Sequence, residues 1–188
     1  MALYPIFVEI AGRACLVVGG GSVAETKVDG LLAGGAEVTI VSPGLTDALA
    51  AAARAGRVSH RRRPYQDGDL AGFALAFATT GDAEVNAAVA AEGHRRGVWV
   101  NAADDPAHCD FILPAILRRG ALAVAVSTGG ASPALASAVR DELDRHLGED
   151  YAALVDVAGE VRRGLRAEHR RVDARTWRAA LADVRFRR

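Results

Sequence analysis

Three short stretches of the chain carry groups suited to chemistry. The first, Gly19–Gly20–Gly21–Ser22–Val23–Ala24, follows an apolar run at Ala14–Val18 and opens a helix-like stretch from about Val23 to Ala33. It fits GxGxxG/A with Ala24 in the last place. Gly19 permits a tight turn, Gly21 lets backbone N–H groups approach a pyrophosphate, and Ala24 keeps helix and strand close. The helix N-terminus adds partial positive charge. A glycine-rich turn without a ligand is the plainer alternative. About twenty residues past such a turn an Asp or Glu would hold a ribose hydroxyl, and here the chain reads Val41–Ser42–Pro43–Gly44. Ser42 can make one hydrogen bond but does not reject a 2′-phosphate as a carboxylate would, so NAD and NADP both stay open.

The second stretch, Asn101–Ala102–Ala103–Asp104–Asp105–Pro106, lies just past a predicted strand. In open parallel sheets ligands bind outside the carboxyl ends of the strands, and a carboxylate there can act as a general base. Turn formation before Pro106 is the alternative for both aspartates. The third is Ser127–Thr128–Gly129–Gly130–Ala131–Ser132–Pro133. Ser132 suits an N-cap and Pro133 the first helical position. The hydroxyls and free N–H groups there could instead receive carboxylates of a ligand.

The elements that must position these residues alternate between short apolar runs and helices. Strands are expected at Ala14–Val18, Glu37–Val41, Val58–Arg61, Phe73–Ala78 and Val98–Asn101. Helices are expected at Val23–Ala33, Thr46–Arg54 and Ala83–Glu92. Such alternation implies right-handed crossovers and a parallel sheet, an α/β fold of Rossmann type. After Asp104 the rhythm changes: Phe111–Leu117 and Ala121–Ser127 suggest a hairpin across Arg118–Arg119–Gly120. Helical stretches follow at Pro133–Leu147, Tyr151–Glu168 and Asp173–Val184. The expected domains are residues 1–112, an NAD(P)-binding Rossmann domain; 113–147, a small α+β segment; and 148–188, C-terminal helices.

Composition narrows the function classes. Hydrophobic residues make up 51% of the 188, enough for a sizeable core, and 23 basic residues balance 23 acidic ones. No global field therefore favours nucleic acid or membrane. No apolar run reaches the roughly 18–20 residues of a membrane span, and the start lacks a secretory signal, so a cytoplasmic protein is expected. Cys15 and Cys109 make no disulfide framework or CxxC site. The histidines at 60, 94, 108, 146 and 169 are scattered, and His108 and Cys109 are expected to pack or face solvent more readily than to touch a metal. The arginines at 61–63 and near the C-terminus read first as solvated surface, second as attraction for a polycarboxylate.

CLVVGGGSVAETKVDGLLAGGAEVTIVSP, FATTGDAEVN, VNAADDPAHCDFILPAIL and VAVSTGGASPALASAVRDEL together resemble the dehydrogenase domain of siroheme synthases and stand-alone precorrin-2 dehydrogenases, over residues from about 5 to 147. The last two segments are more specific than the glycine turn. The resemblance implies NAD-dependent oxidation of precorrin-2 to sirohydrochlorin in siroheme biosynthesis, with ferrous ion insertion to siroheme in some members. It implies a tetrapyrrole substrate and a homodimer, with residues 113–147 as the dimerisation and substrate segment. It marks Asp104 as the catalytic residue and Gly19, Gly20, Gly21, Ser22, Val23, Ser42, Pro43, Thr79, Thr80 and Asn101 as cofactor contacts. Ser127, Thr128, Gly129, Gly130 and Ser132 are the substrate contacts. No metal ligand is assigned. The chain departs from the family at Thr26, where Arg commonly precedes Lys27. A non-catalytic NAD-sensing module is the rival; it accounts for the glycine turn but not for the NAADDPAHCDF and STGGASPAL segments.

Overall fold

The structure, a computed structural model, describes residues 3–103 and 105–182. Asp104, the expected catalytic residue, and the end of the last predicted helix at Val184 lie outside the described residues. The chain forms two compact units, one spanning Leu3–Ile112 and the other beginning at Leu113.

The first unit is a parallel sheet of β1 (Ala14–Val18), β2 (Glu37–Val41), β3 (Ser59–Arg61), β4 (Leu75–Ala78) and β5 (Trp99–Ala102), in the order β3-β2-β1-β4-β5. The connecting helices are α1 (Ser22–Ala33), α2 (Asp47–Arg54) and α3 (Ala83–Arg96). Strand side chains alternate between faces, and β1 shows the consequence. Cys15 and Val17 enter a core with Ala24, Val28 and Leu31 of α1 and Leu49 of α2. Leu16 and Val18 enter the opposite core with Val89 of α3 and Val100 of β5. A strand apolar on both faces must be central, and β1 is, pairing in parallel with β2 and β4. The strand order reverses there, and that switch point is where open α/β sheets bind ligands.

Helix α3 runs on to Arg96 rather than stopping at Glu92, as the sequence suggests. Gly93 is not a helix stop: a Cβ there would lie 2.2 Å from Val100 Cγ2 and 2.8 Å from the Val98 carbonyl oxygen, so the glycine lets helix and strand touch. Gly97, in the left-handed region at φ 69°, ends the helix.

The second unit holds an antiparallel hairpin of β6 (Ala115–Arg119) and β7 (Leu122–Val126), then α4 (Pro133–His146), α5 (Asp150–Ala167) and α6 (Ala174–Ala182). Strand β6 starts later than the expected Phe111, beyond Pro114, and keeps Arg118 and Arg119 in the ladder. Arg119 pairs with Leu122, leaving Gly120–Ala121 as the turn. Gly120 has φ 55°, the positive value a two-residue hairpin turn requires. Arg119 also donates to the Leu147 carbonyl at 2.9 Å and to the Asp144 carboxylate at 2.8 Å, tying the hairpin to the end of α4. Among the described residues no helix is long and apolar enough to cross a membrane.

The segment between β3 and β4 is held to α3 by a buried carboxylate. Glu92 is fully buried and accepts from Tyr65 Oη (2.7 Å), Gly68 N (2.9 Å), Leu70 N (3.2 Å) and Arg96 Nε (2.5 Å). Burial pushes its carboxyl up, but the bonds from Tyr65, Arg96, Leu70 and Gly68 outweigh this and hold it below the usual value. A lowered folded value means that the unfolded chain takes up the proton first. The stabilisation is therefore complete above the unfolded glutamate value of about 4.3 and is lost as pH falls through the folded value. Glu92→Gln is expected to cost about 3 kcal/mol at neutral pH by leaving buried donors unmatched. It should also make the acid limb of a urea-midpoint-against-pH curve shallower; an acid limb identical to wild type would refute the assignment.

Candidate functional site

Three loops leave the carboxyl ends of β1, β2 and β4 and enclose a cleft of about 540 Å³, within the roughly 300–1,000 Å³ of small-molecule sites. Gly19–Gly21 comes from β1, Ser42–Thr46 from β2 and Thr79–Gly81 from β4. A second hollow, of about 620 Å³, lies beside Leu70–Ala74 and Arg95–Val98. Those residues precede β4 and β5, at the end of the sheet opposite to where such folds bind ligands.

The glycines are required by space as much as by dihedral angle. Gly19 has φ 122°, and a Cβ there would stand 2.5 Å from Thr79 Oγ1 and 2.9 Å from the Thr79 carbonyl oxygen. Its N–H donates to the Val41 carbonyl at 2.9 Å, so one residue draws three strand ends together. A Cβ on Gly20 would meet the Gly44 carbonyl oxygen at 2.0 Å, and the Gly20 carbonyl accepts from Thr46 N at 3.0 Å. Gly21 faces open space, is the N-cap of α1 and makes no side-chain cap bond. Ser22 and Val23 begin the helix beside it, both exposed. Helix-start N–H groups bordering a cleft walled by glycine backbone suit a pyrophosphate. The site therefore fits an NAD-type cofactor.

The β2 and β4 loops are stiffened from behind. Ser42 is buried and its hydroxyl donates to the Gly44 carbonyl, so it shapes the loop, while Pro43 is exposed. His60 Nε2 donates to the Ser42 carbonyl at 3.0 Å. Thr79 is buried, with its hydroxyl donating to the Val18 carbonyl at 3.0 Å. Thr80 is clasped by Asn86: the amide oxygen accepts from Thr80 N (3.2 Å) and Oγ1 (2.8 Å), and Nδ2 donates to the Thr80 carbonyl (3.0 Å). Asn86 and His60 were not expected at the site. An asparagine on the inner face of a helix is the signal that could have found the first.

Asn101 is buried, and its Nδ2 donates to the Phe111 carbonyl at 2.9 Å and contacts Cys109 Sγ at 3.6 Å. Its side chain thus ties β5 to the segment leaving it rather than lining the cleft. Cys109 accepts from Ala102 N at 3.3 Å, and its thiol lies 3.2 Å from the Ala102 carbonyl oxygen and 3.3 Å from that of Asp105. Burial pushes this thiol up, against thiolate chemistry. Asp105 caps a short 3₁₀ turn, Pro106–His108, accepting from Ala107 N (3.2 Å) and pairing with His108 Nδ1 (2.6 Å). The hydrogen bond from His108 holds the Asp105 carboxyl down. The residues on either side of Asp104 are thereby fixed, Ala103 by a bond of 2.8 Å from its N–H to the Ala78 carbonyl. Among the described residues no three His, Cys, Asp or Glu side chains gather as a metal site would need.

The expected substrate contacts belong to the second unit. Gly129 and Gly130 have φ 65° and 87° and turn the chain from β7 into α4. Ser127 Oγ accepts from Gly129 N at 3.1 Å; Thr128 Oγ1 accepts from Ser132 N and donates to its carbonyl, both at 3.0 Å. Ser132 Oγ accepts from Leu135 N at 3.1 Å, the N-cap bond of α4.

Comparison with known proteins agrees with this geometry. An NAD(P)-binding family model matches residues 6–115, and one described as sirohaem biosynthesis protein central matches residues 119–146. A siroheme synthase from Methylobacillus flagellatus is 42% identical over 166 residues, covering 88% of this chain and 36% of that protein. One from Chromobacterium violaceum is 41% identical over 175 residues, covering 93% and 37%. The chain thus spans little more than a third of the length of the curated relatives it matches. The solved structure of SirC, precorrin-2 dehydrogenase, superposes with a TM-score of 0.77 at 26% identity, covering 97% of this chain and 89% of that one.

A side chain at Gly20 must displace the Gly44 backbone. Gly20→Ala is expected to weaken NAD binding by about tenfold or more, the scale of an overpacking strain. Gly30→Ala is the control, in open space on the helix that follows, and should leave it unchanged. Calorimetric titration of both folded variants decides; equal affinities would remove the Gly20–Gly44 approach from the cofactor shelf.

Proposed function

We propose, from the premise that the chain belongs to the family of precorrin-2 dehydrogenases and siroheme synthase dehydrogenase regions, that it oxidises precorrin-2 to sirohydrochlorin with an NAD-type cofactor. The observation that carries this is a single chain holding both the nucleotide cleft at the sheet's switch point and the 119–146 segment matched by the sirohaem central model. The second segment sets the reading apart from a bare NAD sensor.

The oxidation removes a hydride and a proton from the macrocycle. Bound cofactor supplies the acceptor for the hydride. Gly19–Gly21 and the start of α1 would hold its pyrophosphate, Ser42–Pro43 its adenosine side, and Thr79–Thr80 the opposite wall of the cleft. The proton goes to the Asp104 carboxylate, which follows the end of β5. Asn101, Cys109 and Asp105 position the flanks of that residue through the bonds already described. The Ser127–Ser132 loop receives the carboxylates of the substrate at the N-terminus of α4. Ferrous ion, as a further substrate, would displace the two pyrrole N–H protons of sirohydrochlorin, one to the Asp104 carboxylate once it has released the oxidation proton to solvent and the other to solvent.

The protein works as a homodimer in this reading. Within the unit beginning at Leu113 only Leu117 and Ala136 of its described hydrophobic residues are buried, while Leu113, Ile116 and Leu135 are 50%, 41% and 55% exposed. A two-stranded hairpin with so little of its own core needs a partner surface. Light scattering should give twice the monomer mass, and Ile116→Asp should shift it to monomer; a monomeric wild type would overturn the assignment.

Anaerobic incubation with precorrin-2 and NAD, followed by sirohydrochlorin absorbance and then by addition of ferrous ion, tests the activity. Asp104→Ala should still bind NAD and lose about a hundredfold or more of the oxidation rate, the scale of a general base. Near wild-type turnover by that variant would sink the role of Asp104, and no turnover by folded wild type would sink the activity.

A further inference from the structure

Helix α5 changes character along its length. Its first half packs: Tyr151, Ala152, Leu154 and Val155 are half-buried, and a Cβ on Gly120 of the hairpin turn would stand 3.1 Å from the Ala152 Cβ. At 3.6 residues per turn Tyr151, Val155, Gly159, Arg162 and Arg166 fall on one row. The row that begins beside the hairpin therefore ends in two arginines. Val157 and Val161, 55% and 48% exposed, form an adjoining row about 100° round the helix.

The arginines of this half do not hold the fold together. Arg162, Arg163 and Arg166 are exposed, and their side chains make no hydrogen bond or ion pair among the described residues. By contrast Arg61, Arg63, Arg96 and Arg119 each engage a carboxylate. Glu160 stands three residues before Arg163 without pairing with it, and 161–167 contains no acidic residue. The helix dipole accounts for a cation in the last turn, which Arg166 supplies. It does not account for Arg162, a like charge four residues before Arg166, a spacing that destabilises a helix. Exposed valines beside unpaired guanidiniums make a mixed apolar and basic face.

We infer that the second half of α5 is a carboxylate-binding face for the tetrapyrrole, with Arg162 and Arg166 each taking a carboxylate from its rim while Val157 and Val161 meet the apolar ring. A tetrapyrrole of this class is apolar across its macrocycle and anionic round its edge, and the face has the complementary order, apolar beside basic. The two arginine side chains start about 5–6 Å apart, close enough to take neighbouring carboxylates of one pyrrole. Each guanidinium presents the paired donors that a carboxylate accepts. The inference rests on the tetrapyrrole reading of the substrate and adds binding residues beyond the Ser127–Ser132 loop.

Titration of the full chain with uroporphyrin, a stable polycarboxylate tetrapyrrole, tests this without any turnover, read by quenching of tryptophan fluorescence. Wild type should bind it, and less tightly as salt rises. Arg162→Gln combined with Arg166→Gln should weaken binding by about tenfold or more, the scale of lost charge-assisted bonds, and leave NAD affinity within about twofold. Arg54→Gln combined with Arg145→Gln removes the same charge from exposed positions on α2 and α4 and should leave uroporphyrin binding unchanged. A folded Arg162–Arg166 variant that binds like wild type, or a control that weakens binding equally, overturns the face. Light scattering of the Arg162–Arg166 variant covers the other occupant: a smaller species than wild type assigns these arginines to a contact between two copies and overturns the inference. Wild type that oxidises precorrin-2 but binds no uroporphyrin overturns this face alone. Folded wild type that does neither overturns the activity itself.

Discussion

The carboxyl end of β1 has no room for a side chain, and the site is built on that constraint. Gly19 reaches the Val41 carbonyl on one side and touches Thr79 on the other, and Gly20 lies against the Gly44 carbonyl. Strands on either side of β1 can bring their loops this close only because the turn carries no Cβ. The same closeness leaves Gly21 and the first turn of α1 open to a ligand. A glycine turn of this kind is thus a packing device first, and the anion site follows from it.

Polar side chains hold those loops and the segments between the strands in place. Asn86 clasps Thr80 from α3, His60 holds Ser42 from β3, and Glu92 fastens the β3–β4 segment to α3. Asn86 and Glu92, both buried, are each satisfied by several partners, which is the condition under which a polar group inside a core adds rigidity instead of cost. The loop after β5 follows the same rule with different chemistry. Cys109, whose thiol burial keeps it protonated, joins Asn101 and Asp105 in fixing the backbone around the position expected to take a proton.

The unit beginning at Leu113 is of another kind. Its hairpin and helices carry apolar residues that their own packing does not cover, and its Ser127–Ser132 loop is held by hydroxyl-to-backbone bonds and two left-handed glycines. Polar side chains there have local partners as well as any ligand they receive. Ser132 caps α4 whether or not a carboxylate is bound, so a helix start can be stable and receptive at once.

Local pattern decided a good deal from the sequence alone. The boundaries of β1 and β2 follow from runs of apolar and β-branched residues with glycine at their ends, and the glycine turn announces itself because only glycine suits its backbone. The end of α3 was not legible: only the close approach of Val98 and Val100, where the chain turns back a few residues further on, shows that Gly93 is a contact inside the helix. The start of β6 was hidden in the same way, since an apolar run does not say where its ladder partner begins. Asn101 commits its amide to the Phe111 carbonyl and Ser42 its hydroxyl to the Gly44 carbonyl at the cleft wall, partners that the sequence does not reveal. Sequence fixes what each segment can form by itself, whereas which polar groups remain free depends on partners that only the folded chain brings together.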